Sequence, residues 1–199
     1  MSFSFFSFLL ALSPGPDNIY VLSQSLSNGF KSGLAVTLGL ISGCIVHTSL
    51  LAFGLSALIV ASENTLWGIK VVGALYLIYL AWKVFKRSGE VLLNPVEGTK
   101  RYTELYKTGV IMNLVNPKVL IFFLAFFPSF LWNPNEGTIF QFYVLGLLFM
   151  LMALIAFSSI AFLAGRISNY LKEQPSTGPF LKWLQIGVFL GIAVYILFS

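Results

Sequence analysis

Residues 10–21 read LALSPGPDNIYV and lie inside the first apolar segment of the chain. They put Pro14, Gly15, Pro16 and Asp17 where a lipid-embedded helix would carry hydrocarbon alone. Pro14 and Pro16 have no N–H to give to the carbonyls of Leu10 and Leu12, and each ring crowds the preceding turn. At membrane depth, such a break is tolerated only where it is buried in protein or lines a wet cavity. An Asp at the bilayer centre costs roughly 2.5 kcal/mol or more, so Asp17 reads as functional. A second break, NLVNPK at 113–118, follows about a hundred residues later.

Composition places both breaks in a membrane. Of 199 residues, 57% are hydrophobic and 10% charged, with a mean hydropathy of +0.87. A soluble domain carries about 25% charged residues. Six apolar stretches, at 3–25, 33–60, 66–85, 108–131, 139–165 and 180–198, are each predicted to cross a core of about 30 Å, which takes about 20 residues. The connectors at 27–32, 61–65, 133–138 and 168–178 are short and polar or carry Gly and Pro. The longest, 86–107, joins two halves, about 1–85 and 108–199, of a single transmembrane domain.

The net charge of +5 does not call for nucleic acid, because the basic residues fall between spans. Lys31, Lys83, Lys86, Arg87, Lys100, Arg101, Lys107, Arg166, Lys172 and Lys182 sort to one side of six spans, against Lys70 on the other. The positive-inside rule then puts loop 86–107 in the cytoplasm, against anionic lipid, and both termini outside it. The first apolar run has no preceding Lys or Arg and meets SPGPD instead of a small-residue cleavage site, so it is not read as a signal peptide. The single Cys44 excludes an intrachain disulfide.

Three spans per half is odd, so the second half enters the membrane in the opposite sense to the first. Gly-Pro-Asp in span one then corresponds to Asn-Pro-Lys in span four. The predicted fold is an all-α membrane protein of six transmembrane helices, arranged as two inverted three-helix repeats with Pro-broken helices 1 and 4. Matched breaks of this kind point to a central site.

The residue types suggest chemistry. Each break opens a half-helix whose N-terminal N–H groups suit a carboxylate, and frees carbonyls at Leu10, Leu12 and Asn113. Asp17 stands in a first turn, where the helix dipole already favours it, yet its cost in lipid favours function. Lys118 is misplaced at a helix N-terminus and calls for a counter-ion or ligand. Asn116 suits a cap before Pro117, a role compatible with binding, and Asn18 is a weaker case. His47 shares a face of span two with Gly39 and Gly43, so packing and proton relay are both open. Gly187 and Gly191 form a GxxxG suited to packing, within the chain or at a subunit contact. No HExxH, GxSxG or paired intramembrane carboxylates argue for an enzyme, and one carboxylate with one histidine is a poor metal site. No cofactor motif is present.

SPGPDN, the Gly39–Gly43–His47 face, GALYLIYLAWK at 73–83 and GVIMNLVNPKVLIFFLAFFP at 109–128 together resemble the LysE/RhtB family of amino-acid exporters. The resemblance spans nearly the whole chain and implies export of amino acids or close relatives from the bacterial cytoplasm, driven by the proton gradient. It places the chain in the inner membrane. On that reading Pro14, Gly15, Pro16, Asp17, Asn18, Asn113, Asn116, Pro117 and Lys118 bind substrate, while Asp17 and His47 serve proton coupling. Homodimerisation is an open partner question. The alternatives are export of metal cations or another small solute, and a non-transporting membrane scaffold.

Overall fold

The computed structural model describes residues 2–55, 63–86, 100–134, 136–167 and 177–198, and among them every regular element is helical. The first break is real. Helix α1 (Ser2–Leu12) ends before Ser13, and α2 (Pro16–Asn28) starts afresh. Pro16 opens α2 where a missing N–H costs nothing, and Gly15 ahead of it is extended (φ −163°, ψ 176°). Ser13 N closes the end of α1 on the carbonyls of Leu9 and Leu10, at 2.9 and 3.1 Å.

The second break divides α5 (Tyr102–Leu114) from α6 (Pro117–Phe126), which runs on as a 3-10 turn at Phe127–Phe130. The two arms bend by 53°. Between the broken segments lie α3 (Phe30–Leu50), extended by a π turn at Leu51–Leu55, and α4 (Glu63–Phe85). Helices α7 (Thr138–Phe162) and α8 (Thr177–Phe198) follow.

Four helical stretches among the described residues are long and apolar enough to cross a membrane: Phe30–Gly54, Trp67–Phe85, Thr138–Phe162 and Pro179–Phe198. The bent α5–α6 pair makes a fifth. At 11 residues α1 is too short to cross alone, and α2 is too polar to qualify by hydropathy, with Asp17, Asn18, Ser23, Gln24 and Ser25 all buried.

Some boundaries move. The connector expected at 27–32 shrinks to Gly29, whose φ of 82° is a backbone conformation open chiefly to glycine. Ser32 Oγ donates to Asn28 O at 3.0 Å across this join. The fourth span was expected from 108, but its helix starts at Tyr102, because hydropathy marks the lipid edge and not the first helical turn. Residues 56–62, 87–99 and 168–176, with Arg87, Lys172 and most of the expected cytoplasmic loop, lie outside the described residues.

Helix α3 is the hub, packing on α2, α5 and α7 and most extensively on α5. Glycines on both helices make that contact possible, since a Cβ on Gly39 of α3 would fall on the Tyr106 carbonyl and one on Gly109 of α5 on the Val36 carbonyl. Gly187 and Gly191 are different: among the described residues nothing lies within 4 Å of a Cβ built on either. Helix α4 lies against α8 and α6.

Phenylalanines fill the core beside the breaks. Phe122 stacks on Phe126 at 4.4 Å and Phe123 on Phe127 at 4.2 Å, the i, i+4 spacing putting each pair on one ridge. Phe3 of α1, Phe149 of α7 and Tyr195 of α8 close around them. Ring edges and faces alternate, the arrangement that favours aromatic clusters.

Candidate functional site: two helix breaks facing one cavity

The two breaks meet. Asn116 Nδ2 donates to Asp17 Oδ2 at 2.6 Å, joining residues 99 positions apart. The same Asn116 caps α6 through Oδ1, which accepts from Lys118 N at 3.0 Å. One side chain thus ends the second break, as expected, and also ties it to the first, which the sequence did not suggest.

Lys118 does not pair with Asp17. Its ammonium donates to Ser13 O at 3.3 Å, at the carbonyl end of α1. This resolves the charge placed awkwardly at the start of α6, because the long stem carries it to a helix C-terminus, where a cation is favoured. Gly15 leaves the room: a Cβ there would stand 3.2 Å from Lys118 Nζ. Its extended backbone would suit any residue, so the need for glycine is spatial. Pro14 and Pro117 act through the backbone, by leaving the turns before them open.

The freed carbonyls are partly occupied. Leu10 O takes Ser13 N, and Asn18 Nδ2 donates to Ala11 O at 2.7 Å. Asn113 O accepts from Asn116 N at 3.1 Å and lies 3.2 Å from His47 Nε2. A carbonyl only accepts, so Nε2 carries the imidazole proton and Nδ1 is left as the acceptor. His47 Nδ1 is buried and has no partner among the described residues.

Asp17, Asn113 and Lys118 are 2%, 4% and 8% exposed and line a cavity of about 20 Å³. That is room for about one water. Asp17 Oδ1 and Asn113 Oδ1 are buried without a partner. Unsatisfied acceptors at such depth call for a donor, from a water or a ligand. The rest of the lining is apolar, from Leu10, Ala11, Leu40, Ile41 and Cys44 on one side and Phe149, Ala153 and Phe157 of α7 on the other. Asn18 and Asn116 flank the site, and His47 reaches it only through Asn113. Among the described residues no group of three or more His, Cys, Asp or Glu is placed to hold a metal ion.

Sequence reasoning missed the α7 wall. Phe149, Ala153 and Phe157 recur every fourth residue, which puts them on one face, but nothing in three apolar residues separates a cavity lining from ordinary packing. It also missed Cys44, whose Sγ receives Asn113 Nδ2 at 3.5 Å.

A helical membrane chain with two facing breaks and an ionisable pair at one cavity has the build of a transporter. The model of the LysE type translocator family matches residues 8–199, and the chain belongs to that family. It is 31% identical over 166 residues to a homoserine/homoserine lactone efflux protein of Salmonella typhimurium, covering 83% of this chain and 80% of that one. It is 26% identical to a leucine efflux protein of Enterobacter, over 94% of this chain and 89% of that one. An uncharacterised membrane protein of Vibrio cholerae is 28% identical over 83% of this chain and 80% of its own length. No solved structure matches the chain.

Proposed function

We propose that this protein exports amino acids or close derivatives from the cytoplasm across the bacterial inner membrane, as a secondary transporter driven by protons. The observation that carries the reading is the meeting of two helix breaks around one cavity, with a carboxylate, an ammonium and two unpartnered acceptors at its wall. A zwitterion fits these groups. Its ammonium would give protons to Asp17 Oδ1 and Asn113 Oδ1, and its carboxylate would draw Lys118 from Ser13 O. Pro14, Gly15, Pro16 and Pro117 keep the backbone open, while Asn18 and Asn116 hold the broken ends. The names of the relatives, which export homoserine and leucine, support an amino-acid cargo.

In this reading α1 and α2 together form the first of six spans, and the halves 1–85 and 108–199 are inverted repeats joined by a cytoplasmic loop at 86–107. Both termini lie outside. Alternating access follows from movement of one half against the other. At about 20 Å³ the cavity is too small for an amino acid, so the two halves must part for cargo to enter. Asp17 takes the coupling proton, and His47 Nδ1, an unpartnered base one residue removed from the cavity, can pass it on. A second copy would use the open Gly187–Gly191 face of α8, which lies toward lipid.

The test is efflux of labelled amino acids, L-homoserine and L-leucine among them, from proteoliposomes with and without an imposed pH gradient. Gradient-dependent efflux is expected from the wild type and not from Asp17→Asn or Lys118→Met. Wild-type rates in both variants, correctly inserted, would overturn the proposed site.

A further inference from the structure

Helix α2 turns a run of polar side chains inward. Asp17, Val21, Gln24 and Asn28 fall within a narrow sector at helical spacing of four, three and four. Asp17 is 2% exposed, Val21 and Gln24 are 0% and Asn28 is half-buried, while Asn18, Ser23 and Ser25 beside this sector are buried too. Leu26, on the opposite side of the helix, is exposed at 36%. Polar side chains facing inward within a membrane are costly and mark the routes of polar cargo.

Gln24 makes the point sharper. Its Oε1 accepts from Asn28 Nδ2 at 3.0 Å, but its Nε2 is buried with no partner among the described residues. A structural role for the amide would satisfy both ends, since a buried amide donor left bare is destabilising. The missing partner is an acceptor. An amino acid offers a carboxylate, the strongest acceptor it has. Gln24 lies seven residues along α2 from Asp17, about 10 Å at 1.5 Å per residue, toward the end that leads to Lys31 and the basic side.

We infer that Gln24 is a carboxylate-holding subsite on the cytoplasmic approach to the central site, with Asn28 at its mouth. The inference rests on the exporter reading. Substrate enters along α2, gives its carboxylate first to Gln24 Nε2, and is then drawn to Asp17 and Lys118.

Two measurements test it. Gln24→Cys, Asn28→Cys and Leu26→Cys are labelled in inside-out vesicles with a membrane-impermeant maleimide, above the background of the buried Cys44. Faster labelling at 24 and 28 than at 26 is expected, and labelling at 24 no faster than at 26 overturns the route. Gln24→Leu is then assayed for L-homoserine and L-leucine efflux. We expect KM for the exported amino acid to rise about tenfold at a nearly unchanged maximal rate, as for loss of one hydrogen bond to a charged group. An unchanged KM overturns the subsite. If the wild type moves no amino acid, the function proposed above fails instead, and the labelling contrast still reports on the route.

Discussion

Gly15 shows how one missing methyl group shapes the site. The backbone there is extended, so an alanine meets no conformational penalty. It would, however, bring a Cβ to 3.2 Å from the Lys118 ammonium and push it from Ser13 O. Gly15→Ala should therefore lower efflux severalfold while leaving the amount of inserted protein unchanged, read by transport against immunoblot. Asn116 is tied more tightly. Asn116→Ala removes a helix cap worth about 1 kcal/mol and the tether to Asp17 together, so it should reduce both melting temperature and transport. The two prolines and Asn116 were legible because each has a fixed backbone meaning. The fate of the Lys118 ammonium was not, because a four-carbon stem can reach several places and only the packed chain selects one.

Among the elements, the α3–α5 contact is the tightest joint. Gly39 and Gly109 let two backbones approach, and Gly43 lies so near Asn113 that a Cβ would stand 2.6 Å from its Oδ1. Gly39→Val should cost about 1–3 kcal/mol by overpacking, seen as a lower melting temperature in detergent. Gly187→Ala, facing open space, should not. The sequence marked Gly39, Gly43 and His47 as one face, but not the helix that they meet. Nor did it single out Gln141, which gathers the turn before α7 by accepting from Trp132 N and Asn133 N and donating to the Asn133 and Glu136 carbonyls. A lone glutamine carries no such instruction, because its partners are backbone groups that any sequence would supply.

At the scale of the whole molecule, the breaks and the helical class could be read from proline and hydropathy, while the helix ends could not. Hydropathy sees the edge of lipid, and a helix continues past it as long as its turns can close. The sorting of ten basic residues to one side makes a separate claim, that the chain starts and ends outside the cytoplasm. A protease-sensitive tag at the N-terminus should be cleaved in spheroplasts, and one inserted in the loop at 86–107 should survive until the membrane is opened.

The placing of Asp17 and Lys118 at a single cavity also has an electrical side. As formal ions the two cancel, and a zwitterion placed between them adds nothing to the sum. A single unit charge moved through the full membrane field would feel about 2.3 kcal/mol per 100 mV. Neither the loaded site nor the empty one, with both groups ionised, carries such a charge through it. If protons drive export through Asp17, as proposed above, voltage acts on the cycle at the step that returns with a proton on the carboxylate, when the lysine is left unbalanced. On that reading the membrane potential would pull on the carrier as it resets and leave the outward passage of the cargo alone.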